Sequence, residues 1–274
     1  MKSNYDELND VSRKLRLECL RVTFNSGMGH LGPDFSCLDI LVTLYSNILN
    51  FPGGDLTHPD RDRFILSKGH AALALYATLR ECFGDSSYDL DTFNSYDSAL
   101  AGHPSNKRLS GIETSTGALG HGMPFAVGCA LAAKLTRSNR RVFVLVGDGE
   151  LQEGSNWEAA MYASAQQLDN LAVIVDRNNL QQGRFIEEVN TLGALEEKWL
   201  AFGWEVRPVD GHDIRAITQA LTHFPHIEGR PTCLVADTTK GKGVSFMENN
   251  PAWHHKVPNM HEYELALAEL GDKQ

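Results

Sequence analysis

Two apolar runs that end in polar residues determine the fold of this chain: Val142-Phe143-Val144-Leu145-Val146-Gly147-Asp148-Gly149-Glu150-Leu151-Gln152-Glu153-Gly154 and Leu171-Ala172-Val173-Ile174-Val175-Asp176-Arg177-Asn178-Asn179-Leu180. Continuous runs rich in Val and Ile predict strands that are covered on both faces of a parallel sheet. Between them, residues 156–168 carry apolar side chains at helical spacing. That helix supplies the crossover, so the two runs form a βαβ unit.

Polar side chains stand at the carboxyl end of each predicted strand. Ligands of open α/β sheets bind outside those ends, so Asp148 and Asn178 should face one site. Gly147 and Gly149 permit a tight turn and a close approach of the backbone to a ligand. Carboxylate and amide oxygens suit a hard divalent ion, and Mg²⁺ completes its octahedron with water and substrate phosphates. The pattern therefore implies a metal-bound diphosphate.

Composition limits the class of protein. A chain of 274 residues with 42% hydrophobic content can form one large α/β domain or two small ones. A net charge of −10 argues against nucleic acid and anionic membranes as general partners. The five cysteines never form a C-x-x-C arrangement and are expected to be reduced. Without a signal peptide or an apolar run of transmembrane length, we expect a cytoplasmic protein.

Strand and helix patterns alternate along the whole chain. This alternation predicts an α/β fold, a doubly wound and mainly parallel sheet with helices on both faces, in a single domain over residues 1–274. Helices are expected at 8–24, 36–49, 70–83, 123–135, 192–202, 213–223 and 262–270, further strands at 64–66, 204–209 and 232–236, and a polar loop at 181–184.

Several glycine-rich segments carry histidines. His30 lies in the loop 26–33, and His70 lies at a predicted helix start, where unpaired N–H groups attract anions. His103 precedes a proline and is therefore held in extended geometry. By pattern alone each could be a histidine without a function. Near the end of the sheet, Lys240-Gly241-Lys242-Gly243 could meet phosphate or form a solvated turn.

Together these residues carry a family resemblance. Gly-Asp-Gly, a crossover helix and Asn-Asn resemble the thiamine-diphosphate motif, and Gly-Asp-Gly-x-Leu-Gln-Glu-Gly resembles transketolase in particular. The resemblance covers nearly the whole chain but only the first of the three domains of a full-length transketolase. It implies Mg²⁺, with Ca²⁺ or Mn²⁺ as alternatives, held by the Asp148 carboxylate, the Asn178 amide oxygen and the Leu180 carbonyl. Gly149 would contact the cofactor.

The resemblance also implies roles for the histidine segments. Gly29-His30-Leu31-Gly32 resembles the loop whose histidine faces the sugar, and Ser67-Lys68-Gly69-His70 the segment whose histidine binds diphosphate. Gly102-His103-Pro104 resembles the loop beside the thiamine ring and the donor sugar. The backbone of Gly117-Ala118-Leu119 would touch thiamine. His254 would contact substrate, with His255 as the competing choice.

Two departures from the family pattern qualify the resemblance. Pro33-Asp34 follows the first histidine loop, where Asp34 could alter substrate preference or cap the next helix, and capping is the favoured interpretation. His121 stands where the family most often has glutamine, and we assign it no chemistry.

The implied reaction is ketol transfer, in which a two-carbon unit passes from a ketose phosphate to an aldose phosphate and the cofactor is the electron sink. The activating glutamate of this family belongs to a second α/β domain, and the chain stops before one would begin. We therefore expect the N-terminal subunit of a split transketolase that works with a C-terminal subunit in an α2β2 assembly. Glu153 would lie at that contact in a carboxylate network, or act only as a helix N-terminal acid.

Other functions stay open at this point. A deoxyxylulose-phosphate synthase or the α half of a 2-oxo acid dehydrogenase would share the cofactor. A non-catalytic regulatory paralogue would not need an intact set of Asp148, Asn178 and four histidines.

Overall fold

A computed structural model describes residues 4–271, and its central element is a parallel sheet. In that range the strands are β1 Arg63–Leu66, β2 Val142–Gly147, β3 Leu171–Arg177, β4 Leu180–Gln181, β5 Arg184–Phe185, β6 Glu205–Asp210 and β7 Thr232–Asp237. Five of them pair in the order β1-β2-β3-β7-β6, with every pairing parallel. The remaining two, β4 and β5, form a separate antiparallel hairpin.

Helices cover both faces of the sheet. They are α1 Tyr5–Ser26, α2 Leu31–Thr43, α3 Ala72–Phe83, α4 Gly122–Leu135, α5 Gly154–Ala165, α6 Ile186–Val189, α7 Leu195–Ala201, α8 Ile214–Thr222 and α9 Met260–Gly271. Alternate residues of each strand enter two different cores. Phe143 and Leu145 pack with α1, α2, α3 and α8, whereas Val144 and Val146 pack with α4, α5 and α7. The predicted doubly wound fold is confirmed.

Helix α2 begins earlier than the pattern predicts. It starts at Leu31 instead of Ser36, and a π-helical turn extends it from Leu44 to Ile48. The segment was expected to be loop because glycine and proline usually break helices, but proline is tolerated in a first helical turn. His30 consequently occupies the N-cap position. The glycine-rich loop is therefore short, and the helix itself presents this histidine.

Asp34 does not cap its own helix. It lies inside α2 with no exposed surface, and its Oδ1 accepts a 3.1 Å hydrogen bond from the Ala74 N–H in the first turn of α3. The N-cap residue of α3 is Ala71, which has no side chain able to serve that turn. Asp34 therefore does cap a helix, but that helix is α3, which packs beside it, and not the helix that follows it in the sequence.

The segment after β3 is more ordered than expected. Residues 181–184 form the tight turn of the β4–β5 hairpin, with Gln182 at a φ of 50°, and α6 follows directly. Helix α7 begins at Leu195, three residues later than 192. No helix in the described part of the chain is both long enough and apolar enough to cross a membrane.

Candidate active site

A cavity of about 250 Å³ opens at the carboxyl ends of β1, β2, β3 and β7. These strands are parallel neighbours, so residues that follow them meet at one edge of the sheet. The cavity is lined by His30, Pro33, Lys68, His70, His103, Gly117, Leu119, Gly147, Asp148, Gly149, Glu150, Asn178, Leu180, Gln181, Gln182, Lys240 and His254. Of the predicted site residues, Ala118 is exposed beside the lining and Glu153 lies outside it.

Asp148 and Asn178 come together as the βαβ geometry requires. Asp148 is 2% exposed; its Oδ1 accepts from the Gly149 N–H at 2.8 Å and its Oδ2 from the Asn179 N–H at 2.6 Å. The Asn178 amide donates to Asp176 at 3.3 Å, while its oxygen accepts from the Leu180 N–H at 3.1 Å. The bond to Asp176 fixes the amide orientation, so the oxygen is on the side of Leu180.

These residues have the chemistry of a divalent-cation site. Burial, and next the charge of Asp176, raise the pKa of Asp148 to about 7, so a cation beside it would stabilise its charged form. One carboxylate, one amide oxygen and a backbone carbonyl suit Mg²⁺, which fills its remaining positions with water and phosphate oxygens. Within residues 4–271 no three His, Cys, Asp or Glu side chains form a metal-binding group, so a cation here would depend on amide and carbonyl oxygens in addition to Asp148.

Lys68 lies at the floor of the cavity, and no sequence pattern singles it out. It is 1% exposed and forms an ion pair with Asp176, which has no exposed surface. Its ammonium also donates to the Pro33 carbonyl and the Ser36 hydroxyl, each at 3.1 Å. Burial opposes the charge of Lys68, but Asp176 more than compensates and keeps it cationic. A fixed positive charge therefore stands beside the predicted diphosphate site.

A second lysine, Lys240, reaches the cavity from the loop after β7. Its Nζ lies 2.8 Å from Nδ1 of His254, and burial followed by the charge of Lys68 lowers its pKa to about 8. Below that pH the ammonium donates, so His254 accepts at Nδ1 and carries its proton on Nε2. Lys242 borders a different cavity and lies 3.8 Å from Glu248. Of the two lysines of this segment, only Lys240 lines the cavity.

The histidines surround His30. Its ring centroid lies 5.6 Å from that of His70, 6.1 Å from His103, 5.6 Å from His254 and 4.4 Å from His255. Burial, followed by neighbouring positive charge, lowers the pKa of His30 to about 4 and that of His254 to about 3. The same causes lower the pKa of His70 and His103. These four rings, of His30, His70, His103 and His254, are neutral at pH 7 and can exchange hydrogen bonds with hydroxyl groups.

His255 differs from His254 in position. It is exposed and does not line the cavity, although its ring is the nearest of the four neighbours to His30. His254 is the inner of the two residues.

Gly117 shows why glycine is needed in the segment predicted to touch thiamine. Its φ is 132°, and a Cβ there would lie 2.9 Å from the imidazole of His103. A side chain would therefore displace His103 from the cavity. Leu119 lines the cavity two residues later.

Glu150 ties the loops around the site together. It is 2% exposed; Oε1 accepts from the Ser67 hydroxyl and from the Gly120 N–H at 3.0 Å, and Oε2 accepts from the Gly147 N–H at 3.1 Å. Its partners come from three segments far apart in sequence, so no local pattern identifies it.

Glu153 lies on the surface next to an apolar face of α4 and α5. It packs against Gly120, where an added Cβ would lie 2.6 Å from the Glu153 Cβ. On the same two helices Phe125 is 40% exposed, Met161 51% and Tyr162 46%. Exposed large apolar side chains on two neighbouring helices make this surface a candidate interaction site.

Comparison with known proteins identifies the family. The family described as transketolase, thiamine diphosphate binding domain, matches residues 8–271. The chain belongs to the transketolase family. It is 46% identical over 271 residues to a subunit of the apulose-4-phosphate transketolase of Actinobacillus succinogenes, covering 98% of both chains. It is 38% identical to the 6-deoxy-6-sulfo-D-fructose transketolase subunit SqwG of Clostridium sp., covering 95% of this chain and 94% of that one.

Solved transketolases have the same fold. The crystal structure of transketolase from Campylobacter jejuni superposes with a TM-score of 0.90 at 30% identity. It covers 98% of this chain, which in turn spans 43% of the Campylobacter chain. The resemblance to transketolase is thereby confirmed, as is the similarity to one of the separate subunits from which split members of the family are built.

Proposed function

We propose that this chain is the N-terminal, thiamine-diphosphate-binding subunit of a split transketolase, and that it transfers a two-carbon ketol unit only together with a C-terminal subunit. The observation that carries the proposal is one cavity in which Asp148 and Asn178 adjoin four neutral histidines. A metal-diphosphate site beside hydrogen-bonding rings meets the needs of this chemistry. Residues 1–274 would form one domain for this task.

Thiamine diphosphate and Mg²⁺ fit the residues present. Asp148, Asn178 and the Leu180 carbonyl would hold the metal, while Lys68, Lys240 and His70 would meet the phosphates. Gly149, Gly117, Ala118 and Leu119 would contact the cofactor through their backbone, beside His103. When bound, thiamine supplies the electron sink for cleavage next to a carbonyl.

The histidines would handle the sugar. His254 presents Nε2–H to the cavity because Lys240 occupies Nδ1. A neutral ring with a fixed tautomer can donate to a substrate hydroxyl or carbonyl, and His30 and His103 can accept protons from hydroxyl groups. Their low pKa values keep them in that form at pH 7.

A second chain would complete the site. Glu153 and the exposed apolar face of α4 and α5 support docking of a subunit that brings the pyrimidine-binding domain and its activating glutamate. This chain matches relatives named as transketolase subunits over almost their full length, which supports the same arrangement of the enzyme in separate subunits. We infer an α2β2 assembly in the cytoplasm.

Ketose phosphates are the proposed donors and aldose phosphates the acceptors. The name of the Actinobacillus relative makes apulose 4-phosphate the first donor to test. That of the Clostridium relative makes 6-deoxy-6-sulfo-D-fructose, a ketose with a sulfonate in place of the phosphate, the second. Xylulose 5-phosphate would test the general reaction.

The test mixes this chain with its candidate C-terminal subunit, thiamine diphosphate and Mg²⁺, and measures ketol transfer from each donor to an aldose phosphate. We expect turnover in the mixture and none with either chain alone. Asp148→Ala should abolish turnover and metal-dependent cofactor binding. As a matched control, Asp60→Ala removes an exposed carboxylate remote from the cavity and should change neither.

Two results would contradict the proposal. Robust ketol transfer by this chain alone would refute the split enzyme. Cofactor binding by the mixture without transfer from any of these ketose donors, but with turnover of pyruvate, would assign the site to another thiamine enzyme.

A further inference from the structure

His212 lies behind the cavity, in the turn after β6. Its Nε2 accepts a 2.7 Å hydrogen bond from the Thr239 N–H, and its Nδ1 lies 2.7 Å from Oδ2 of Asp39. A backbone N–H can only donate, so Nε2 carries no proton. The ring is therefore neutral, with its proton on Nδ1 donated to Asp39.

Asp39 is a rigid anchor for this ring. Both terminal nitrogens of Arg16 bond to its carboxylate, at 3.1 and 2.6 Å, and Arg16 also donates to the Phe35 carbonyl at 3.1 Å. Arg16 is 6% exposed and Asp39 5%. Burial would raise the pKa of Asp39, but the Arg16 charge and the His212 bond outweigh it and hold the pKa below its usual range. The acceptor for His212 is thus charged at neutral pH.

Thr239 connects this anchor to the cavity. On one side of it, the Thr238 hydroxyl bonds to Asp176; on the other, Lys240 reaches Nδ1 of His254 at 2.8 Å. Next, the Gly241 N–H donates to the Gly32 carbonyl at 3.1 Å. The residues around Thr239 therefore face the site, while its own N–H points away from the site, to His212.

We propose that His212 is a positioning residue for the sugar-binding end of the site: it fixes the backbone at Thr239 so that Lys240 holds His254 in its Nε2–H tautomer. His212 does not line the cavity; it borders a separate one of about 710 Å³ together with Arg16 and Asp39. It therefore acts through Lys240 and not by contact with the substrate. The inference rests on the proposed function for the identity of the substrate.

Three substitutions test the two hydrogen bonds of His212, to Thr239 and to Asp39, independently of each other. His212→Gln can place an amide oxygen near the position of Nε2 and accept from Thr239. His212→Asn reaches only as far as Nδ1, so it can keep Asp39 but not Thr239. His212→Leu keeps neither bond. The matched control is His223→Gln, an exposed histidine just after α8.

Two measurements follow each variant. Steady-state kinetics with the partner subunit give kcat and KM for the ketose donor. Two-bond ¹H–¹⁵N spectra of histidine-labelled protein give the tautomer of His254 and, where His212 is present, that of His212. We expect His212→Leu and His212→Asn to lower kcat/KM between about tenfold and a hundredfold, because small misplacements near reacting groups cost that much. They should also alter the His254 tautomer signal. His212→Gln should stay within about threefold of the original chain, as should His223→Gln.

The proposal would be overturned by wild-type kcat/KM and an unchanged His254 signal in His212→Leu, or by Gln and Asn variants that behave alike. If the original chain shows no ketol transfer with its partner, the proposed function fails. The His254 tautomer in the Gln and Asn variants then still decides whether His212 has this role.

Discussion

Asp34 is a carboxyl group without exposed surface, and only its Oδ1 has a partner among the described residues. Burial raises its pKa to about 7. Because the pKa of Asp34 is higher in the folded state than in the unfolded state, its contribution to stability is fully present below the unfolded pKa. That contribution is lost as pH rises through the folded pKa. Asp34 therefore makes the isolated chain less stable at neutral than at mildly acidic pH.

Asp34→Asn should remove this dependence. The difference in unfolding free energy, variant minus original chain, should increase by about 2 kcal/mol from about pH 5 to about pH 7.5. Denaturant unfolding at both pH values measures it, with Asp60→Asn, at an exposed site, as control. If the difference in unfolding free energy between Asp34→Asn and the original chain is the same at both pH values, the raised pKa of Asp34 is refuted.

Lys240 gives a prediction for the pH dependence of cofactor binding. Its pKa of about 8 means that its ammonium charge is lost as pH rises through that value. We expect the affinity for thiamine diphosphate with Mg²⁺ to fall above about pH 8, and Lys240→Gln to bind on the order of tenfold more weakly without that pH dependence. Quenching of tryptophan fluorescence measures binding. Lys242→Gln, outside the cavity, should bind as the original chain does; equal loss in both variants would contradict the role of Lys240.

The residues found from sequence share one property: they follow apolar runs or stand among glycines. His30, His70 and His103 are of this kind, whereas His254 was found only through the family resemblance; all four line the cavity. Lys68 could not be recognised, because the aspartate that pairs with it is 108 residues away in the chain. A buried ion pair between distant segments leaves no periodic pattern.

At the scale of elements, α2 and the segment 251–255 approach closely at Gly32. A Cβ on Gly32 would lie 2.6 Å from the Trp253 carbonyl oxygen. Gly32→Ala should therefore shift the backbone that carries His254, lower stability by about 1–3 kcal/mol and raise KM for the donor. Gly154→Ala, also in a first helical turn but with nothing within 4 Å, should leave the stability of the isolated chain within about 0.5 kcal/mol. Similar unfolding midpoints for both variants would argue against this close approach.

Strands were easier to predict than the ends of helices. The strands β1, β2, β3 and β7 contain continuous apolar runs, which the sequence displays directly, whereas β6 mixes charged and apolar residues. Helix α2 began too late in the prediction because Gly32 and Pro33 suggested a loop, whereas its first turn is supported by packing against distant residues. The β4–β5 hairpin was missed because its strands are two residues each, too short for a period.

For the whole molecule, the exposed apolar face of α4 and α5 should control assembly. Met161→Lys places a charge in the proposed contact and should prevent association with the partner subunit, and hence turnover, while the isolated chain unfolds at the same temperature within a few degrees. Leu200→Lys is matched, because Leu200 is 56% exposed but lies on α7. Size-exclusion chromatography of the mixture measures assembly. Intact complexes with Met161→Lys would place the contact elsewhere.

The position of β6 has a consequence for solubility. It is the outermost strand beside β7, and an open strand edge can recruit strands from other molecules. Pro208 interrupts the row of N–H donors on this strand, and Glu205, Arg207 and Asp210 add charges. Prolines and charges on an edge strand discourage intermolecular sheet extension and amyloid-like aggregation. Pro208 and these charges thus protect this edge from pairing with strands of other molecules.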